Sequence, residues 1–279
     1  MNSNLQYIKQ SLQGYYPASE AASLAKLVLM QVFDMSILEL YSGKDRCFSE
    51  KEQKQLDDIL IRLQKYEPIQ YIIGVEEFCG LTFEVNEHVL IPRPETQELV
   101  DWIIKDSLDL NCRVLDVGTG SGCIPITLAK YLPGALVTSW DISEEALLVA
   151  KRNSCRHNVI VRFEQKDVLT TSPVIQEQYD IIVSNPPYIT EKEKVDMDAN
   201  VLEWEPGLAL FVPDDDPLLF YRRIAELGVC MLSPSGKLYF EINRDYGDET
   251  IRMLEGLGYQ QIELRKDLSG NDRMIKAIR

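Results

Sequence analysis

The sequence predicts an α/β protein, a three-layer sandwich around a mostly parallel sheet. An antiparallel hairpin closes it at the C-terminus. A small N-terminal helical bundle and a β-hairpin linker precede it. Three observations carry this reading. Residues up to about Ile73 show helical periodicity and no strand pattern. Gly74 and Gly80 then punctuate a change of period. From Leu90 onward short apolar runs alternate with amphipathic ones, as strands joined by crossover helices do. The expected units are residues 1–73, 74–90 and 91–279.

In the first unit, Pro17-Ala18-Ser19-Glu20 opens a helix through the Ala- and Leu-rich stretch 21–33. Ser49-Glu50-Lys51-Glu52 fits a capping box. Leu56, Ile59, Leu60 and Leu63 then fall at i, i+3, i+4 and i+7 and form one stripe. Because the repeat is short, the stripe reads as core between small helices rather than as a coiled-coil seam. In the linker, Glu77-Phe78-Cys79 and Leu81-Thr82-Phe83-Glu84-Val85 read as strands joined at Gly80. The last unit reads as strands over 113–117, 136–140, 159–163, 180–184 and 237–242. Its helices fall over 123–132, 144–153, 217–232 and 245–257, and its closing hairpin over 259–264 and 274–278. There is no internal repeat and no low-complexity tract.

Composition narrows the function classes. At 279 residues and 45% apolar content, the chain is long enough to bury a sizeable core. No apolar run has the length of a membrane span. Met1-Asn2-Ser3-Asn4-Leu5 has neither a basic flank nor an apolar core, so no secretory leader is expected. Cys47, Cys79, Cys112, Cys123, Cys155 and Cys230 are scattered with no C-x-x-C pair, which predicts reduced thiols in a cytoplasmic protein and no zinc site. His88 and His157 are the only histidines, too few for a His-rich metal site. A net charge of −15 disfavours a nucleic-acid substrate and favours a small molecule or a basic protein. A monomer is expected.

The densest signal for a cofactor is Val114-Leu115-Asp116-Val117-Gly118-Thr119-Gly120-Ser121-Gly122-Cys123. It reads as a strand, a glycine-rich turn and a helix start. Gly118, Gly120 and Gly122 permit a sharp turn and close approach of a ligand. Dehydrogenases use such loops too, but the spacing here is G-x-G-x-G rather than G-x-G-x-x-G. Asp116 would repel a pyrophosphate and suits the ammonium group of an amino-acid-bearing cofactor. Asp141 ends the next strand, where a carboxylate accepts from ribose hydroxyls. Asp167 follows the third strand and reads either as an acceptor for an adenine amino group or as a loop or capping carboxylate. Val168 would pack on the ring. Together with Thr119 these residues describe S-adenosyl-L-methionine, a cation that tolerates an acidic pocket.

Asn185-Pro186-Pro187-Tyr188 follows the apolar strand pattern Tyr179-Asp180-Ile181-Ile182-Val183-Ser184. Two prolines stiffen the backbone and remove two N–H donors, and the first keeps Asn185 out of helical geometry. The Asn185 side chain adds a carbonyl acceptor, and Tyr188 adds a flat wall or, on the plainer reading, core packing. Acceptors aimed at an NH2 beside an aromatic face suit nitrogen methylation. Asn185, Pro186 and Tyr188 are therefore the expected catalytic residues. Pro187 completes the substrate wall, and Asn185 also faces the cofactor.

With these residues in hand, the chain resembles the release-factor glutamine methyltransferases over nearly its whole length. The resemblance rests on Pro68-Ile69-Gln70-Tyr71-Ile72-Ile73-Gly74, Glu77-Phe78, and Leu90-Ile91-Pro92-Arg93-Pro94-Glu95-Thr96. It rests also on the glycine loop, Asn185-Pro186-Pro187-Tyr188-Ile189, Glu205-Pro206 with Ala209-Leu210, and Asp267-Leu268-Ser269-Gly270 with Arg273. It implies a class I methyltransferase, Rossmann-like fold. It implies methylation of the glutamine amide in the Gly-Gly-Gln motif of peptide chain release factors, with the N-terminal helices recognising that partner. It further implies that the stiff segment Pro92-Arg93-Pro94 lies at the rim of the site, with Arg93 reaching substrate; the plainer reading pairs Arg93 with Glu95. Asn243, Tyr246 and Gln97 depart from the family pattern, and none is expected to touch the nucleophile pocket. Three alternatives stay open. An N-methyltransferase of DNA or RNA bases shares the Asn-Pro-Pro-Tyr chemistry, a nicotinamide oxidoreductase shares a glycine loop, and a non-catalytic module keeps only the fold.

Overall fold

The computed structural model describes residues 3–41, 46–107, 111–173 and 178–279. The chain forms two compact units, Met1–Gly74 with Asp198–Trp204, and Val75–Met197 with Glu205–Arg279. The smaller unit holds α1 (Ser3–Ser11), α2 (Ala18–Leu27), α3 (Ile37–Tyr41), α4 (Glu50–Leu63) and α5 (Ile69–Ile73). The expected helix over 21–33 widens into a π turn at Val28–Val32 and stops before Asp34, whose φ is 51°. The capping box of α4 forms in both directions between Ser49 and Glu52. Leu56, Ile59, Leu60 and Leu63 are all buried in this unit's core. First and last residues of the expected unit 1–73 differ in status: Met1 and Asn2 lie outside the described residues.

The larger unit begins with β1 (Val75–Phe78) and β2 (Leu81–Glu84), paired antiparallel across a Cys79-Gly80 turn. Phe78 and Phe83 project from this hairpin into the same core as Trp102 and Ile126. The hairpin therefore packs as part of the α/β unit. Arg93 is extended, at φ −101° and ψ 149°, but Pro94 opens α6 (Pro94–Asp106). The expected extended run 92–94 thus ends one residue early, because proline's fixed φ and missing N–H suit the first helical position.

Alternating elements follow: β3 (Arg113–Val117), α7 (Cys123–Tyr131), β4 (Leu136–Asp141), α8 (Glu144–His157), β5 (Val161–Gln165) and β6 (Tyr179–Ser184). Next come β7 (Ile189–Thr190), α9 (Ala199–Trp204), β8 (Phe211–Val212) and α10 (Leu219–Met231). The chain closes with β9 (Leu232–Glu241), α11 (Gly247–Gly256), β10 (Gln260–Lys266) and β11 (Asp272–Ile278). Of these, α9 belongs to the smaller unit, where Trp204 Nε1 donates to the Lys65 carbonyl at 3.0 Å. Strand β9 starts earlier than its apolar pattern predicts. Its pairing with β6 jumps from Leu232 to Lys237, and Ser235 takes a φ of 65° to make the irregularity.

Seven strands form one sheet in the order β10-β11-β9-β6-β3-β4-β5. Strands β9, β6, β3, β4 and β5 run parallel, and β10 and β11 are antiparallel. Alternation along β3 sends Val114 to the core beside α6 and α7, and Leu115 and Val117 to the core beside α10 and α11. The strand order reverses between β3 and its two neighbours, β4 on one side and β6 on the other. In open parallel sheets ligands bind outside the carboxyl ends of the strands at such a reversal. Among the described residues, no helix is long and apolar enough to cross a membrane.

Candidate active site

A cavity of about 340 Å³ opens at those carboxyl ends, within the range of small-molecule sites. Its floor is the turn after β3, Gly118-Thr119-Gly120. The Gly118 and Thr119 amides both donate to the Trp140 carbonyl, at 2.8 and 3.1 Å, which ties the turn to the end of β4. Gly118, Gly120 and Gly122 have φ of 88°, 51° and 83°, a region in which a Cβ is costly. Around Gly120 the space where a Cβ would sit is empty, so a ligand can lie on the backbone. A Cβ on Gly118 would stand 3.7 Å from the Asn185 carbonyl oxygen, so the glycine turn and the Asn-Pro-Pro-Tyr segment approach closely.

Asp141 stands at the end of β4 on the cavity wall. Its Oδ2 accepts from the Gly120 amide at 2.9 Å and its Oδ1 from the Ser143 amide at 2.9 Å. Burial raises its carboxyl above the ordinary value, and the Gly120, Ser143 and Ile142 amides pull it back. A carboxylate offers about four acceptor sites, so acceptor capacity remains for a hydroxyl. Asp167 and Val168 line the wall beyond β5. Asp167 is also a turn cap, accepting from the Leu169 amide at 2.9 Å and from Thr170 Oγ1 at 3.1 Å. The capping role and the place on the wall coexist. Ile142, Ala146, Leu169 and Ile224 make the rest of this end apolar.

Lys166 and Arg93, two basic side chains on the wall, are each paired with a glutamate. Lys166 Nζ lies 2.6 Å from Glu164 and 4.1 Å from the centre of the Trp140 ring. Arg93 Nη2 lies 2.5 Å from Glu205 Oε1, and Glu205 Oε2 accepts from the Ile91 amide at 3.2 Å. The ion-pair partner is Glu205 rather than the Glu95 of the plainer reading, and Arg93 lies on the cavity wall. The pair ties the segment before α6 to the Pro206-Leu208-Ala209 edge of the cavity. With Lys166 and Arg93 paired, the carboxylates of Glu87, Asp141 and Asp167 leave the wall acidic. An apolar slot, three carboxylates and an exposed glycine turn fit S-adenosyl-L-methionine, whose sulfonium and ammonium are positive, and oppose a pyrophosphate.

Asn185, Pro186 and Pro187 form the opposite wall. Asn185 Nδ2 donates to Thr96 Oγ1 at 3.1 Å. Its Oδ1 accepts from no described residue.

Three sequence-derived site residues sit off the cavity wall. Asp116 is fully buried under the turn, because strand alternation turns it away from Val117. Its Oδ2 accepts from Ser139 Oγ at 2.6 Å, Ser139 meets Thr119 Oγ1 at 2.6 Å, and Asp116 Oδ1 has no partner. Burial pushes its carboxyl up to about 7, opposed by the Ser139 hydrogen bond and aided by the nearby Asp141 charge. Asp116 therefore supports the turn from beneath. Gly122 caps α7, and a Cβ there would lie 2.7 Å from Ile126 Cδ1. Tyr188 is half-buried and packs against the core beside α10, and its hydroxyl donates to Glu241 Oε1 at 3.1 Å. The plainer packing reading of Tyr188 matches this placement; a flat wall for substrate does not.

The departure at Asn243 lies off the cavity wall and braces the Tyr188 end of this segment. Its Nδ2 donates to the Tyr188 carbonyl at 3.1 Å and to Glu193 Oε1 at 2.9 Å. Gln97 instead accepts from the Cys79 amide at 3.0 Å and holds the hairpin. Thr96 and Glu241 escaped the sequence reading, although each lies in a quoted motif or beside one. Their signal was polarity at buried positions, which only the fold reveals.

Comparison with known proteins places this geometry in a family. Residues 96–203 match the family model described as Methyltransferase small domain, and residues 4–74 the one described as PrmC N-terminal domain. The chain is 54% identical over 279 residues to the release factor glutamine methyltransferase of Bacteroides thetaiotaomicron, covering 100% of both. It is 46% identical over 271 residues to that of Flavobacterium psychrophilum, covering 96% of this chain and 95% of the relative. A solved methyltransferase from Pyrococcus furiosus superposes with a TM-score of 0.53 at 18% identity, over 83% of this chain and 98% of its own, a likeness of fold.

Proposed function

The chain belongs to the release factor glutamine methyltransferases, and on that premise we propose that Asn185 and Pro186 grip the glutamine side chain. The enzyme methylates the side-chain amide nitrogen of a glutamine in a peptide chain release factor, with S-adenosyl-L-methionine as methyl donor. The target is taken to be the glutamine of a Gly-Gly-Gln motif. The observation that carries the site assignment is the orientation of Asn185, donating through Nδ2 to Thr96 and leaving Oδ1 as acceptor.

Asp141, Asp167, Val168 and the turn 118–120 are the residues that would hold the cofactor, whose sulfonium supplies an electrophilic methyl group. An amide nitrogen is a poor nucleophile because its lone pair is delocalised into the carbonyl. Asn185 Oδ1 and the Pro186 carbonyl accept one N–H each from the substrate amide. Those contacts fix the nitrogen in line and stabilise positive charge as it develops there. Pro186 and Pro187 contribute no N–H that competes for these acceptors. No general base is required before transfer, since the methylated nitrogen sheds its proton readily afterwards.

The unit containing α1–α5 is taken to recognise the protein partner. A release-factor tip that approaches ribosomal RNA is expected to be basic, and the net charge of −15 complements it. The chain is taken to act as a cytoplasmic monomer with no nucleic-acid substrate. The test is Asn185→Ala in a methyl-transfer assay on a release factor. We expect a rate loss on the order of 10²-fold. A wild-type rate with an intact fold removes Asn185 from the reaction.

A further inference from the structure

Behind Asn185 runs a chain of buried polar groups drawn from three distant parts of the sequence. Thr96 lies in the first turn of α6 and is 3% exposed; Glu241 ends β9 and is 1% exposed. Thr96 Oγ1 donates to Glu241 Oε2 at 2.6 Å and accepts from Asn185 Nδ2 at 3.1 Å. Tyr188 donates to the other Glu241 oxygen at 3.1 Å. The Thr96 hydroxyl does no work for its own helix, whose N-terminus has no side-chain cap.

The polarity of this chain is fixed by proton counting. Glu241 Oε2 accepts from Thr96 Oγ1, and a threonine hydroxyl has one proton. Thr96 gives that proton to Glu241, so toward Asn185 it can only accept. The carboxamide must then present its NH2 to Thr96 and its Oδ1 to the opposite side. Burial raises the Glu241 carboxyl above its ordinary value, and the hydrogen bonds from Thr96 and Tyr188 and the Arg273 charge oppose that shift. Arg273 is held beside it by a 3.1 Å bond to the Ile242 carbonyl.

We infer that Thr96, anchored by Glu241, is a positioning residue that locks the Asn185 carboxamide with Oδ1 toward substrate and thereby selects an NH2-bearing nucleophile. Were the amide to flip, Asn185 would offer a donor to a donor, and the substrate nitrogen would lose its grip. Tyr188 serves the same end by holding the second oxygen of Glu241. The inference rests on the reading of Asn185 as the substrate's acceptor.

The experiment compares Thr96→Val, Thr96→Ser and Asn185→Ala in the full chain. Three quantities are read: kcat and KM on a release factor, the Kd for S-adenosyl-L-methionine by calorimetry, and hydrogen exchange of the Asn185 side-chain NH2 by NMR. Thr96→Val removes one buried hydrogen bond at nearly constant volume. It is expected to lower kcat about tenfold, leave the cofactor Kd unchanged and expose the Asn185 NH2 to exchange. Thr96→Ser restores the hydroxyl and is expected to recover the rate to within about threefold. A wild-type kcat and a protected Asn185 NH2 in Thr96→Val, with Asn185→Ala inactive, overturn the positioning role alone. A wild-type rate in Asn185→Ala overturns the underlying reading of the site. If Thr96→Val does not fold, Thr96→Cys takes its place, because a thiol is a weak acceptor, and a wild-type kcat there overturns the role equally.

Discussion

Asp141→Asn separates the two tasks that one carboxylate performs here. Its oxygens accept from the Gly120 and Ser143 amides, each at 2.9 Å. The remaining acceptor sites face the cavity, where cofactor hydroxyls would meet them. An amide has one oxygen, so one of the two amides would face an NH2 instead. Leaving a buried donor unmatched costs roughly 1–3 kcal/mol of stability. In the cavity, two hydrogen bonds to a charged acceptor, about 1.5–3 kcal/mol each, would give way to at most one neutral bond of about 1 kcal/mol. The net loss is roughly 2–5 kcal/mol, or about 30- to 5,000-fold in Kd. Calorimetric titration with S-adenosyl-L-methionine reads the second effect, and a denaturant melt without cofactor reads the first. A Kd within about threefold of wild type would show that Asp141 does not reach the cofactor. An unchanged melt would show that its bonds to the turn contribute nothing.

Gly122→Ala places a Cβ 2.7 Å from Ile126 Cδ1 and 3.1 Å from Ala150 Cβ, at a φ of 83°. The clash and the backbone strain together should cost about 2–4 kcal/mol in urea unfolding, and a loss below about 0.5 kcal/mol would refute the packing. Asp116 keeps its proton up to a pH of about 7 in the folded chain, while the unfolded chain releases it in the ordinary carboxylate range. Its contribution to stability therefore falls as pH rises across that window and is level above it. Asp116→Asn should remove up to about 1.4 kcal/mol per pH unit of that decline, measured as melts against pH without cofactor; parallel profiles would contradict the burial argument. Arg93→Ala should destabilise by about 1–3 kcal/mol by leaving the buried Glu205 with the Ile91 amide alone. Adding Glu205→Gln should recover part of that loss, and no recovery would mean the Arg93 charge was not what Glu205 needed.

Most of the larger unit was legible in the sequence because its strands and helices alternate with clear periods. The misses have physical reasons. Pro94 looked like part of an extended run, yet it starts α6, since a proline at the first helical position offends nothing. Strand β9 began before its apolar pattern because a positive φ at Ser235 absorbs the irregular pairing. The acid next to a glycine turn reads as a ligand in one dimension. Strand alternation instead buries Asp116 beneath the turn while Val117 faces the cavity.

The linear order of residues sufficed for the chemistry. A G-x-G-x-G turn, an acid ending the following strand and Asn-Pro-Pro-Tyr specify groups whose donors and acceptors suit a sulfonium and an NH2, and those properties belong to residue types and short spacing. What only the folded chain decided is which polar groups meet across long distances: Thr96 with Glu241 and Asn185, and Arg93 with Glu205. Such pairs lie far apart along the chain. Hydrogen-bond partners at that separation are chosen by how the sheet and its helices close on each other, which no local pattern encodes.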